Sequence, residues 1–304
     1  MRCLNASWSR AALTTLAVVC LAFSAVADEK AKVVIVAGKK SHGYGQHEFN
    51  AGSLLMKKLL KESAPNVEVV VHQNGWPAGA DAFERADAIV LFMNGGGAHP
   101  VNRHLDQLAP LMENGVGLMC MHYAVEVPIG PTAKSFLSWI GGYYESGWSI
   151  NPHWVAKSHL NRDHPISNGV KDFAVNDEWY FNLRFREKME GVTSVLKAVP
   201  DDEARSGKTS WPRGPRKDIQ EASGREETLL WATDRADGGR GVGFTGAHFH
   251  WNFRDDGFRK LVLNAVVWVA GLDVPEAGIE TRSPTQAELE ENQDYPKPGE
   301  KGEK

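Results

Sequence analysis

The chain has 304 residues, of which 42% are hydrophobic and 24% are charged, with a formal net charge of -4 and an isoelectric point near 6.3. This composition is sufficient for a substantial core in one or two domains and excludes wholesale disorder. Because no basic excess exists to neutralise a phosphate backbone, nucleic acid is not an expected partner.

Residues 1–27 have the pattern of a secretory signal peptide. Two arginines precede an apolar run at 11–26, and a small-x-small sequence ends at Ala27. The run is too short for a comfortable membrane span, and Cys20 lies inside it, which argues against a lipid anchor. We therefore predict a secreted or periplasmic protein that is cleaved near Ala27. Cleavage would leave Cys120 as its single cysteine, so no intramolecular disulfide is expected.

Composition divides the mature chain into one domain and a tail. Residues 28–275 have the size of a single domain. Residues 276–304 hold eight acids, four bases and one aromatic residue, so we expect a disordered acidic tail. Residues 201–227 are polar and rich in Gly, Pro, Arg and Lys, which predicts a long surface insertion of the kind that forms lids or stays disordered.

Strand and helix patterns alternate through the first half of the domain. Apolar runs typical of buried strands occupy residues 32–37, 67–71, 88–93 and 117–122, and helical periodicity occupies 47–62 and 101–113. The second half is less regular. Its strand candidates are residues 153–156, 173–175, 192–199, 229–233 and 241–247. Residues 257–270 form a predicted amphipathic helix. The alternation predicts an α/β fold with parallel βαβ units and right-handed crossovers.

Polar side chains gather in the loops that follow four of these strands. In chain order the candidates are His42, His47, Asn94, Gly96, His99, His122, Tyr123, His248, His250 and Trp251. Because the carboxyl ends of parallel strands meet at one edge of a sheet, we expect these loops to converge. Histidines at such an edge suit general acid–base chemistry or metal ligation, although any one of them alone is more often a solvated or hydrogen-bonded residue.

The histidine spacing leaves a metal site open without requiring one. His248 and His250 share a face of an extended strand, which fits two metal ligands or one catalytic and one rim histidine equally well. No HExxH or CxxC spacing is present. We therefore predict no cofactor, and keep a divalent metal held by His42, His122, His248 and His250 as an alternative. The Gly95–Gly97 run also lacks the spacing of nucleotide-binding loops.

Two adjacent acids, Asp177 and Glu178, lie beside Trp179 and Tyr180. Because neighbouring side chains on a strand point to opposite faces, only one acid is expected to face the site. Burial against an aromatic ring would raise its pKa toward general-acid use. For Asp177, capping a loop is the alternative. Cys120, within an apolar strand, is interpreted as a buried, inert thiol.

Taken together, these residues resemble the ThuA-like (trehalose utilisation) family, within the class I glutamine amidotransferase-like superfamily. The resemblance spans about residues 32–272. It is carried by the 42–48 loop, the strand ending at His122, His164-Pro165-Ile166, Asp177-Glu178 and residues 243–268. It implies a flavodoxin-like, doubly wound, mostly parallel sheet with helices on both faces. It also implies a role in carbohydrate metabolism, around trehalose and related disaccharides and their 3-keto derivatives.

One departure from the superfamily bears on the chemistry. Glutamine amidotransferases carry a nucleophilic cysteine between glycines in a tight turn. Here Cys120 is flanked by Met119 and Met121, and His122 occupies the turn. Hydrolysis of glutamine by a thiolate is therefore not expected.

The first functional hypothesis is an exported enzyme that acts on a 3-keto-glycoside or related sugar. His122 would be the general base and Glu178 or His248 its partner acid, because an imidazole accepts protons near neutral pH. The residues expected to bind the sugar are His42, His47, Asn94, Gly96, His99, Tyr123, Asp177, His250 and Trp251.

Two alternatives remain at this stage. One is a non-catalytic carbohydrate-binding or interaction domain, in which Trp148, Trp154, Trp179 and Trp251 would offer stacking faces. The other is a metal-dependent hydrolase. In each case the partner is a small-molecule sugar, and the sequence leaves the oligomeric state open, including a homo-oligomer.

Overall fold

The computed structural model describes residues 29–79, 81–211, 213–214 and 216–299. The predicted signal peptide at 1–27 lies outside these residues. Within the described part of the chain, no helix combines the length and the apolar character needed to span a bilayer.

The described residues form twelve strands and seven α-helices. The strands are β1 Ala31–Ala37, β2 Val67–His72, β3 Ala88–Phe92, β4 Gly117–Met121, β5 Gly142–Tyr143, β6 His153–Lys157, β7 His159–Leu160, β8 Ala174–Glu178, β9 Arg184–Phe185, β10 Thr193–Ala198, β11 Glu227–Asp234 and β12 Arg240–Phe244. The helices are α1 Phe49–Ser63, α2 Leu105–Glu113, α3 Pro131–Trp139, α4 Asp202–Arg205, α5 Lys217–Gln220, α6 Asp256–Val269 and α7 Gln286–Glu290.

Eight strands make one mixed sheet in the order β2-β1-β3-β4-β12-β11-β10-β7. Five adjacent strands, β2, β1, β3, β4 and β12, are parallel to one another. The remaining strands, β11, β10 and β7, each pair antiparallel with their neighbours. The predicted α/β class with a mostly parallel sheet is confirmed. Two small antiparallel pairs, β5–β9 and β6–β8, lie outside this sheet.

The sheet is covered on both faces. Val33 and Ile35 of β1 share a buried cluster with residues of α1 and α6, whereas Val34 and Val36 pack with residues of α2 and α3. Alternate side chains of a strand point to opposite faces, so this division places helices on each side. A central strand buried on both faces must be apolar throughout, which explains the continuous hydrophobic runs in the sequence.

The C-terminal segment differs from the expected disordered tail. Thr285 begins α7 with a capping box, and Leu289 is fully buried. Beyond the helix, the side chain of Gln293 accepts a hydrogen bond from the backbone N–H of Gly45. A polar segment can thus be ordered by one apolar anchor, a capped helix turn and hydrogen bonds to a loop.

The predicted surface insertion at 201–227 contains α4 and α5 and is fixed at its base. Arg205 is buried and forms an ion pair with Glu227, 3.1 Å between Nη1 and Oε1. Ile219 is also buried. The polar composition of the insertion predicted its exposed residues, but not the buried Arg205–Glu227 ion pair or the buried Ile219.

Candidate functional site

The candidate site lies at the edge where β1, β3, β4 and β12 end. Four non-glycine residues here adopt positive φ angles: 62° at His42, 48° at His47, 51° at His122 and 86° at Ala247. Each such conformation costs about 1–3 kcal/mol and persists only where the surrounding structure enforces it. Strain concentrated at one edge of the sheet is typical of a functional site.

Four polar side chains converge at this edge. One ligand-type atom from each of His47, His122, His248 and Glu178 lies within 4.8 Å of the others. The Nε2 atoms of His47 and His122 are 2.9 Å apart. Glu178 Oε2 lies 3.0 Å from His248 Nδ1 and 3.3 Å from His122 Nε2. We call these four residues the histidine–glutamate cluster.

The tautomer of His122 follows from a backbone contact. Its Nδ1–H donates to the carbonyl of Thr245 over 2.8 Å, because that carbonyl can only accept. In the neutral imidazole the Nε2 lone pair then points into the cluster. Histidines that ligate metals are commonly oriented by such a hydrogen bond from the other ring nitrogen.

Neighbouring side chains hold the Glu178 carboxylate in place. Asn151 Nδ2 donates to Oε1 over 2.9 Å, and the hydroxyl of Tyr180 lies 3.4 Å from Oε2 and 3.3 Å from His122 Nε2. His153 Nε2 approaches Oε1 at 4.0 Å. Neither Asn151 nor His153 was predicted from the sequence, since neither follows a strand of the main sheet.

Asp177 faces away from the cluster, as alternation along β8 requires. Its carboxylate accepts hydrogen bonds from the backbone N–H groups of Ala247, His248 and Phe249, over 2.7, 2.9 and 3.2 Å, and from the side chain of Asn252. Asp177 therefore positions the loop that carries His248. This is the loop-capping alternative rather than the sugar contact.

The electrostatics of the cluster call for a positive charge. Burial disfavours ionisation of Glu178, but contacts with His122, His248 and His47 outweigh burial and hold its pKa well below the ordinary value. Burial lowers the pKa of His47 well below its usual range, against the opposing effect of Glu178. A buried carboxylate among imidazoles is stabilised by a nearby positive charge, which a bound cation or a protonated ring would supply.

The donor set indicates which cation would fit. Three imidazole nitrogens and one carboxylate oxygen suit Zn²⁺ and neighbouring divalent transition metals. The ring nitrogens of His248 are buried without hydrogen-bond partners, and Nδ1 meets Glu178 without hydrogen-bonding geometry. The other arrangement that these distances allow is a hydrogen-bonded network in which His47 Nε2–H donates to His122.

Four more of the predicted residues lie at the same strand ends. The exposed ring of His42 packs 3.7 Å from the ring of His47, and the half-buried ring of Tyr123 lies 5.5 Å from it. The side-chain oxygen of Asn94 is buried without a partner at the end of β3. Gly96, with φ 63°, follows in the same loop.

Three of the predicted residues are not brought into the cluster. His99 is buried, accepts from the N–H of Val101 and bonds to the carbonyl of Ala124. His250 is buried near α1, and burial lowers its pKa to about 4. Trp251 packs so closely on Gly45 that no side chain would fit there. Strand-end position alone cannot distinguish these packing residues from the cluster.

Glu126, an acid not predicted from the sequence, interacts electrostatically with Glu178 and His122 of the cluster. It follows β4 by five residues and is half-buried. Burial raises its pKa to about 7, Glu178 adds to this effect, and His122 opposes it. A Cβ at Gly96 would lie 3.2 Å from Glu126 Oε1, so the glycine leaves room for this carboxyl group. The position of Glu126 in the turn after β4 could have indicated a site residue, but its neighbours in the sequence are apolar.

Cys120 of β4 is fully buried, and burial raises the pKa of its thiol. A thiolate is therefore strongly disfavoured at this position. This environment agrees with an inert packing role.

Comparisons with known proteins place the fold. The family profile described as "ThuA: Trehalose utilisation" matches residues 32–269. A crystal structure of a putative ThuA-like protein from Bacteroides uniformis aligns over 81% of this chain and 93% of its own, at 15% identity and a TM-score of 0.57. Another, from Parabacteroides merdae, aligns over 86% and 100%, at 17% identity and a TM-score of 0.55. No curated protein matches the sequence. Because the profile covers most of the chain, the protein belongs to the ThuA family.

Proposed function

We propose that this protein is a metal-dependent enzyme of carbohydrate metabolism that acts on a 3-keto-glycoside or a related oxidised sugar. The observation that carries the proposal is the histidine–glutamate cluster, in which four potential ligand atoms converge at the strand ends. Family membership supports a sugar as the substrate class. The predicted signal peptide adds a secreted or periplasmic location as part of the same proposal.

His47, His122, His248 and Glu178 would hold the metal, which would supply Lewis-acid chemistry that acidifies the C–H bond next to the sugar's ketone. Glu126 is the candidate base for that proton. Its half-buried carboxyl group lies outside the proposed ligand set and interacts electrostatically with Glu178 and His122, and burial raises its pKa above the ordinary value, which suits a general base.

The reaction that follows is an elimination. The proton on C2, between the ketone carbon and the glycosidic carbon, moves to Glu126. The electron pair of the broken C2–H bond forms a C1=C2 double bond as the C1–O bond to the leaving group breaks. The leaving oxygen takes up a proton, and addition of water to the double bond would complete a net hydrolysis.

This proposal changes the roles first expected for the cluster. His122 and His248, expected as base and acid, become ligands together with His47 and Glu178, because their ring nitrogens face one another across a short gap. His42, Tyr123 and Asn94 keep their expected role as sugar contacts, since they lie at the same strand ends.

The experiment uses the mature protein without a histidine tag. It is stripped with a chelator, divided, reloaded with Zn²⁺, Mn²⁺ or Co²⁺, and assayed on 3-keto-trehalose and trehalose. We expect turnover of the keto sugar only, lost with the metal and restored by reloading. Equal turnover in the stripped and reloaded samples would contradict the metal role. Binding of either sugar without turnover by any sample would favour the carbohydrate-binding alternative.

A further inference from the structure

One aromatic side chain is far more exposed than the stacking faces expected from the sequence. Trp154 and Trp179, two of the expected stacking faces, are buried. Trp148 is covered by the guanidinium of Arg184, 3.7 Å from its ring, and Trp251 packs on Gly45. Trp211, by contrast, is 72% exposed. Among residues 29–79, 81–211, 213–214 and 216–299, it is the one large aromatic residue with such exposure.

Sheet topology brings Trp211 to the edge that carries the site. β10 is antiparallel to β11, which is antiparallel to β12, which is parallel to β4. β10 therefore ends, and β11 begins, at the edge where β4 ends, one residue before His122. The 201–227 insertion joins these two strands, so it emerges beside the histidine–glutamate cluster.

Two hydrogen bonds hold the backbone of Trp211, one to Asn151 and one to Tyr144. The N–H of Trp211 donates to Asn151 Oδ1 over 2.7 Å, and its carbonyl accepts from the Tyr144 hydroxyl over 3.1 Å. Asn151 in turn donates its amide to Glu178 Oε1 over 2.9 Å. One side chain thus connects the carboxylate of the cluster to the backbone of Trp211.

Buried contacts anchor the insertion at its base and next to Trp211. The buried Arg205–Glu227 ion pair fixes its base, and the residue before Trp211, Ser210, is buried and bonds to the carbonyl of Gly207. An exposed indole on an ordered segment supplies a flat apolar face at little cost in conformational entropy.

We propose that Trp211 is the stacking platform for the leaving-group ring of the substrate, which defines a second sugar subsite next to the histidine–glutamate cluster. The inference rests on the proposed function for the position of the first ring. It makes the substrate a glycoside with a second ring, a disaccharide or an aryl glycoside, rather than a simple alkyl glycoside. Stacking of a sugar ring on an indole face would account for the exposure of Trp211.

The test compares a two-ring and a one-ring ligand. Binding of trehalose and of methyl α-glucoside is titrated by calorimetry, and their 3-keto forms are assayed for turnover, with metal-loaded protein. We expect Trp211→Ala to weaken trehalose binding, or to raise KM for its keto form, about three- to tenfold, the range of one aromatic stacking contact. The affinity of Trp211→Ala for methyl α-glucoside, and its KM for the keto form, should stay within twofold of wild type. Trp211→Phe should retain most of the trehalose affinity.

Two controls separate this proposal from the proposed function. Val199→Ala removes another exposed apolar side chain and should change the affinity for neither trehalose nor methyl α-glucoside. The metal content should be equal in all variants. Selective loss of trehalose binding without turnover by any sample would support the platform while contradicting the enzyme. Equal binding of trehalose by wild type and Trp211→Ala, or no binding of trehalose by wild type, would overturn the platform.

Discussion

At the scale of single residues, the backbone explains which of two adjacent acids faces the site. Alternation along β8 turns Glu178 into the cluster and Asp177 toward the backbone of residues 247–249. The sequence could predict that only one of them would face the site. It could not predict the role of Glu126, because a carboxyl group in a turn acquires its function from burial and neighbours.

The role of Glu126 predicts a pH dependence. Burial raises its pKa to about 7 in the metal-free site, and a cation in the neighbouring cluster would lower that value. Because a base must be ionised, turnover of the metal-loaded enzyme should fall as the pH is lowered through a pKa below about 7. Glu126→Gln should lower kcat by a factor of about 10²–10⁴ and abolish that acidic limb. The measurement is kcat/KM from pH 5 to 9 for both proteins. Near-normal turnover of Glu126→Gln with an unchanged profile would assign the base to another group.

Cys120 gives a second test, of stability rather than of catalysis. Cys120→Ala should leave turnover within about twofold, because the buried thiol is not ionised. Cys120→Ser should lower the free energy of unfolding by about 1–3 kcal/mol, since a buried hydroxyl is left poorly paired. Denaturant melts and kinetics on the same preparations measure both effects. Loss of activity in a well-folded Cys120→Ala variant would revive a thiol mechanism.

At the scale of elements, the buried parallel strands were the most predictable part of the molecule. β1 to β4 lie within one residue of their predicted boundaries, because strands covered on both faces require unbroken apolar runs. β8 was placed too early, at 173–175, since only some of its residues are apolar. The C-terminal helix α7 was missed because composition averages over a segment that one apolar side chain can anchor.

The ordered C-terminal segment can be tested through that anchor. Leu289→Ala should lower the free energy of unfolding by about 2–5 kcal/mol, because it empties a fully buried position. Glu291→Ala, at an exposed position two residues further on, is the matched control and should have little effect. Chemical denaturation of the three proteins measures the difference. Equal midpoints would mean that the segment does not pack as described.

At the scale of the whole molecule, the site combines two sheets. The main sheet brings together the loops after β1, β4 and β12, and the separate β6–β8 pair contributes Glu178. Convergence of the strand-end histidines followed from a parallel topology that the sequence could predict. The docking of the β6–β8 pair could not be predicted, because long-range packing leaves no local pattern. Glu178 was nevertheless expected at the site, from its place beside Asp177 and the family resemblance.

The metal content of the mature, untagged protein tests the central claim most directly. After incubation with Zn²⁺ and removal of free ion, elemental analysis should find one metal per chain in wild type and in the matched control Cys120→Ala. His122→Ala and Glu178→Gln, each folded by circular dichroism, should hold far less, because each removes one of four ligand side chains. Wild type that binds no Zn²⁺, Mn²⁺ or Co²⁺ in stoichiometric amount, or His122→Ala that binds as much as wild type, would contradict the account.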